Sequence, residues 1–162
     1  MLLLRERALS APDPALTTLW MVRVPFDSSL TFLAAEDCAP TFPKIPAEAR
    51  FAQGEQRYYP GYKDIDGLSI TFYETNDYKV SEWLMQWQKR IFNNGVYGLP
   101  RDYMMPIIVT LYSKHQSKPV RTLSYQRAWI TDRGPYQLNY SEETGRLVVQ
   151  AQFAVNGLDE KS

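Results

Sequence analysis

The chain carries one cysteine, Cys38, and one histidine, His115. A thiol and an imidazole make a nucleophile and base only where a third group orients the base, and no such group is implied here. His115 falls in the polar stretch Lys114-His-Gln-Ser117 and reads as a solvated turn residue. Cys38 sits at a strand end and reads as half-buried packing, where a thiol is inert. Together the two residues supply neither an intramolecular disulfide nor a His/Cys metal cluster. Two carboxylate pairs stand out, Glu142 with Glu143 and Asp64 with Asp66. Acid–base pairs need environments that push their pKa values apart, and both pairs lie in turn-like stretches that read as solvated charge. Trp83 and Trp87 have the i, i+4 spacing of a stacking platform, but an aromatic stripe at that spacing reads as core. The chain shows no phosphate-cradling Gly-Lys-Ser/Thr loop, no Gly-x-Ser-x-Gly elbow and no dinucleotide-type glycine pattern. The expectation is a non-enzyme with no catalytic residues, no metal, no cofactor and no small-molecule substrate.

With 162 residues, one domain with one core is expected. Lys plus Arg and Asp plus Glu number 18 each, so the formal net charge is zero. Tight nucleic-acid binding needs surplus cations to displace counterions, and that surplus is missing. Zero net charge also removes the self-repulsion that opposes close association of copies. The 11 tyrosines suit strands and interfaces, because a tyrosine ring is apolar and its hydroxyl stays wet. The apolar run at Met1–Leu4 is too short for a signal peptide or a membrane span, so no membrane partner is expected.

The elements that must hold these residues are mostly strands. Leu19 to Val24 alternates, with Trp20, Val22 and Val24 on one face. Leu30 to Ala35 reads as a second strand in a hairpin with it. Residues 38–66 hold Pro40, Pro43, Pro46 and Pro60 and two aromatic-basic clusters, Arg57-Tyr-Tyr59 and Tyr62-Lys63. This composition reads as a long extended loop that packs on something outside its own core. Leu68, Ile70 and Phe72 mark another strand. The period then changes: Thr75-Asn-Asp77 can cap a helix, Val80, Trp83, Leu84, Trp87 and Ile91 form its packing face, and Asn93-Asn-Gly95 stops it. The helix is expected over about residues 76–93. Strands follow at Ile107–Lys114, Val120–Ile130 (long enough to need a bulge) and Leu147–Val155. In the last of these, Leu147, Val149, Ala151, Phe153 and Val155 form an apolar face. The opposite face, with Gln150 and Gln152, carries no charge. It reads either as a central strand covered on both sides or as a wall that a polymer slides past. Residues 1–15 form an N-terminal arm, read as a disordered end or a docking segment, and residues 157–162 a polar tail. The fold class is mainly β: a small antiparallel barrel or sandwich over residues 16–156 with one flanking helix.

This order of elements resembles the tail-tube family of contractile phage tails, from about Leu19 to Val155. The resemblance is carried by Leu19-Trp-Met-Val-Arg-Val24, by Phe42-Pro-Lys-Ile-Pro46, and by Asp66–Tyr78 running into Trp83-Leu-Met-Gln-Trp87. Arg127-Ala-Trp-Ile130 and the closing Leu147–Phe153 strand complete it. The fold is shared with type VI secretion and bacteriocin tubes. The resemblance implies self-assembly into hexameric rings stacked as a tube, contacts with sheath and baseplate proteins, and non-specific passage of DNA. The implied place is a virion tail assembled in the host cytoplasm. It assigns inter-ring contacts to the loop at 38–66, with Phe42, Ile45, Arg57, Tyr58, Tyr59 and Tyr62 as candidates, and a lumen-facing position to Gln150 and Gln152. The alternatives are a tube initiator, baseplate or neck adaptor ring with the same fold, and a monomeric ligand-binding barrel.

Overall fold

The computed structural model describes residues 20–27, 35–113, 119–136, 138 and 145–162. Its strands are β1 (Trp20–Arg23), β2 (Ala35–Ala39), β3 (Ala47–Ala52), β4 (Glu55–Pro60), β5 (Leu68–Tyr73), β6 (Phe92–Asn93), β7 (Val96–Tyr97), β8 (Met105–Tyr112), β9 (Pro119–Arg133), β10 (Val148–Ala154) and β11 (Gly157–Lys161). Two helical segments, α1 (Lys79–Ile91) and the single turn α2 (Pro100–Tyr103), lie between β5 and β8. Alternation in the sequence becomes one-sided burial. Leu68, Ile70 and Phe72 of β5 and Val149, Ala151 and Phe153 of β10 all point into one core.

Seven strands make one antiparallel sheet in the order β1-β8-β9-β10-β5-β2, with β11 also paired to β9. The outer strands β1 and β2 do not pair with each other among the described residues, so the fold is an open sheet folded over its core and not a closed barrel. The fold is made by β9. Its residues as far as Ala128 pair with β8 or β11, and its last residues, Trp129 to Arg133, pair with β10. Arg127, just before the junction of the two parts, has φ +50°, a left-handed conformation that turns the strand. Asn156 holds this corner: its backbone N–H donates to the Gln126 carbonyl, and its side-chain amide donates to the Arg127 carbonyl at 3.2 Å. A register shift in β10 between Gln152 and Phe153 accompanies the turn.

Helix α1 lies on the core side of β5 and β10. Val80, Trp83, Leu84 and Trp87 are buried, and Ile91 is half-buried against the same cluster. The cap differs from expectation. Asp77 makes no cap, and only Thr75 contributes from the expected triplet, its hydroxyl accepting from the Lys79 N–H at 3.0 Å. The main cap is Glu74, at the end of β5. Its carboxylate accepts the N–H groups of Val80 (3.1 Å) and Ser81 (3.0 Å) and the Ser81 hydroxyl, which also meets the Tyr136 hydroxyl. An anion there satisfies orphan donors and opposes the helix dipole. Glu74→Ala is expected to cost about 1–2 kcal/mol in a urea unfolding curve, with Glu74→Gln intermediate. A midpoint unchanged in Glu74→Ala would show that the helix start is held by packing alone. The helix ends at Ile91, where Phe92 turns extended, before the expected stop at Asn93-Asn-Gly95; Asn94 and Gly95, with φ of +51° and +83°, instead turn β6 into β7.

Two further expectations change. Residues 38–66 are not an extended loop, because β3 and β4 pair along their full length as a hairpin. Residues 157–161, expected as tail, form β11 on β9. Strand β1 pairs with β8 and β2 with β5; the second strand of the expected hairpin, Leu30 to Ala35, lies outside the described residues except for Ala35. The N-terminal arm at 1–15, Leu30 to Ala34, His115, Glu142 and Glu143 lie outside the described residues.

Candidate functional site: a bare sheet face and a two-stranded arm

The functional surfaces follow from what the core leaves uncovered. Helix α1 covers one face of β5 and β10, with Trp83 packed edge-on to Phe72 (5.6 Å) and Trp87 against Phe153 (5.3 Å). Among the described residues the other face of the same strands has no such cover. Gln150 and Gln152 are exposed there, opposite Thr71 and Ser69 of β5. A strand covered on both sides is thereby set aside for the described chain. The centre of this face is neutral: Ser69, Thr71, Gln150 and Gln152. Asp37 of β2 and Asp132 of β9 stand at its margins, opposite Thr71 and Gln152. The two strands that border the face are open along their outer sides. Among the described residues β2 pairs only with β5, and the Trp129–Arg133 part of β9 only with β10. Edges of this kind are completed by another chain or blocked.

The second surface is the β3–β4 arm. Its base is tied by backbone bonds between Lys44 and Asp64 in both directions (2.7 and 2.9 Å) and from Gly61 to Pro46 (2.7 Å). The Lys44 ammonium pairs with Asp66, and the Thr41 hydroxyl donates to the Asp66 carbonyl at 3.0 Å. The Tyr125 hydroxyl, reaching out from the core, donates to the Thr41 carbonyl at 3.1 Å. Asp64 and Asp66 therefore secure the arm. Its tip turns at Gln53 and Gly54, with φ +54° and +79°. Phe42 and Ile45 lie exposed before the arm, Arg57, Tyr58 and Tyr59 along β4, and Tyr62 just beyond it at 89% exposure. Three of these six residues lie on the arm and three on the segments that flank it, well apart in sequence from Gln150 and Gln152. The Gln53-Gly54 turn was the one local sign of this pairing, masked by the flanking prolines.

The chemistry-bearing residues are otherwise accounted for. Burial pushes the Cys38 thiol up to about 12, and the neighbouring Asp37 charge adds to the shift, so it stays protonated and poorly nucleophilic at neutral pH. The indole N–H groups of Trp83 and Trp87 donate to the carbonyls of Pro25 and Tyr103, both at 2.8 Å, and their rings are buried. Among the described residues no three His, Cys, Asp or Glu side chains gather as a metal site. No helix there is long and apolar enough to cross a membrane.

No family model and no curated protein matches the sequence. Solved structures do match in three dimensions. The sheath/tube terminator structure of PVC, an extracellular contractile injection system, superposes with TM-score 0.75 at 10% identity, covering 94% of this chain and 100% of the other. The chain has the tail-tube fold. A chain of the anti-feeding prophage baseplate, solved with 6-fold symmetry, shares that tail-tube fold with TM-score 0.68 at 12% identity over 93% and 97% of the two chains. Hcp1 from Flavobacterium johnsoniae shares it with TM-score 0.56 at 10% identity over 88% and 94%.

Proposed function

We propose that this chain is a non-enzymatic structural protein that closes into hexameric rings and stacks them as the inner tube of a contractile tail-like apparatus. The observation that carries the reading is the pair of open edges, β2 on one side and Trp129–Arg133 of β9 on the other, bordering a single bare face. Pairing the β2 edge of one copy with the β9 edge of the next continues the sheet from copy to copy and, once a ring closes, completes both of these edges. The bare face then lines the channel. Its centre presents neutral amides and hydroxyls, with Asp37 and Asp132 at the seams and the Arg146 guanidinium 5.3 Å over the Tyr73 ring at one end, so a phosphate backbone meets no cation at the centre of the face, which suits passing DNA. The arm reaches a neighbouring ring, and sheath and baseplate proteins complete the particle, a virion tail put together in the host cytoplasm. The likeness to a tube terminator favours a second reading, a ring at one end of the tube. Copy number separates the two readings: many rings per particle for the tube, one or two for an end ring.

Negative-stain microscopy with light scattering on the purified full chain tests the proposal. Annular particles or filaments are expected at high concentration. A single-copy species at every concentration would overturn ring formation and favour a monomeric binding domain.

A further inference from the structure

The arm has two chemically different faces. Strand residues alternate sides, and residues paired across a ribbon share a side. The register Glu48↔Tyr59, Arg50↔Arg57 and Ala52↔Glu55 places one set together, and Ala47↔Pro60, Ala49↔Tyr58 and Phe51↔Gln56 the other. The first set is satisfied within the arm. Arg50 reaches Glu48 and Arg57 reaches Glu55, each at 3.6 Å, and the Arg50 guanidinium lies 5.6 Å over the Tyr59 ring. The second set has no charge at all, yet Phe51 is 82% exposed and Tyr58 69%. A ribbon that holds its charges on one side and bares an aromatic on the other is built to lie on something.

We infer that the arm meets a second copy of this chain through the Ala47, Ala49, Phe51, Tyr58 and Pro60 face alone, with the ion-paired face left in solvent. The inference rests on the tube reading and adds to it the side of the arm that makes contact. A copy of the same chain is the fitting occupant on two grounds. The face is uncharged, so it selects no charged partner, and copies with 18 cations and 18 anions do not repel one another as wholes. The face is also small. Two six-residue strands present roughly 200 Å² on one side. A stable pair of proteins buries about 800 Å² per partner. One arm cannot hold a partner by itself, but a ring of arms engaging another ring together can. Of the residues singled out from the sequence on this hairpin, Tyr58 lies on the contact face, while Arg57 and Tyr59 lie on the solvent face. Phe51, hidden among alanines, is the main anchor.

Hydroxyl-radical footprinting of the full chain, dispersed and assembled, tests this directly. Phe51 and Tyr58 are expected to lose most of their labelling on assembly, and Tyr59 little. Phe51→Ser is expected to weaken stacking by about tenfold per contact, while Tyr59→Ser changes it little. Hydrogen exchange at the β3 amides reports whether the hairpin survives in each variant. The footprint of the unaltered chain decides the matter if a variant loses its hairpin. Assembly with equal labelling of Phe51 before and after, or with Tyr59 the more protected, would overturn the inference and leave the tube reading standing. No assembly at all would remove both.

Discussion

Trp87→Ala is expected to remove about 3–5 kcal/mol of stability, a large part of the roughly 5–15 kcal/mol that holds a domain of this kind together. Trp87 is fully buried at the centre of the helix–sheet contact. Its ring lies 5.5 Å from Phe26, 5.6 Å from Trp83 and 5.3 Å from Phe153, so one side chain joins the β1–α1 region, the helix and β10. Truncation opens a void that three aromatic neighbours cannot all collapse into. It also strips the Tyr103 carbonyl of its donor, which loosens α2 from α1. Trp87→Phe separates the two effects: it keeps most of the ring, loses the hydrogen bond, and is expected to cost about 1–2 kcal/mol from that bond, with some further loss of packing. Ile91→Ala, on the same stripe but half-buried, is expected to cost less than Trp87→Ala. Urea curves followed by far-UV circular dichroism give all three values. A Trp87→Ala protein within about 1 kcal/mol of the parent would mean the helix does not seat on β10 through this residue.

The helix–sheet contact was also the most legible part of the sequence, and the reason is physical. Burial on one side writes a period: two for β5 at Leu68, Ile70 and Phe72, and about 3.6 for α1 from Val80 to Ile91. Elements that bury little write no such signal. β11 pairs with β9 through its backbone while Asp159, Glu160 and Lys161 stay exposed, so its residues have the composition of a polar tail. The arm is exposed at all but one of its strand positions, and its strands begin and end among prolines, so its pairing was not readable from hydrophobicity. Glu74 was missed as a cap because it ends a strand and reaches the helix from six and seven residues away in the chain. The turn at Arg127 carries no glycine and so gave no sign of its positive φ. The uncharged face at Gln150 and Gln152 was visible as composition. That it is bare became clear only when α1 was seen to occupy the opposite side.

The double substitution Gln150→Glu with Gln152→Glu is expected to abolish tube formation while leaving the single chain folded. Glutamate is nearly the shape of glutamine, so the change is one of charge alone. Both side chains are exposed, and the Gln150 amide makes only a long contact of 3.5 Å to the Ser69 hydroxyl, so the lone domain should shift by about 0.5 kcal/mol or less. In a closed ring the outcome differs, because every copy brings both new charges to one inner wall that already carries Asp37 and Asp132. Two like charges about 10 Å apart repel by about 0.4 kcal/mol in bulk water, and by about 1.7 kcal/mol at the effective dielectric of a protein surface. A ring multiplies that pair term around its circumference, and a stack multiplies it again along its length. Added salt should restore assembly in part, since exposed charges are screened over about 8 Å at physiological ionic strength. Acid should restore it as pH falls through about 4.3, the ordinary range of an exposed glutamate, by removing the charge. Gln86→Glu on the exposed side of α1 adds the same carboxylate outside the channel and is expected to leave assembly unchanged. Tube length and yield by electron microscopy, read across pH and salt, measure the effect. Equal assembly in the Gln150/Gln152 and Gln86 variants at low salt would place the bare face somewhere other than the channel wall.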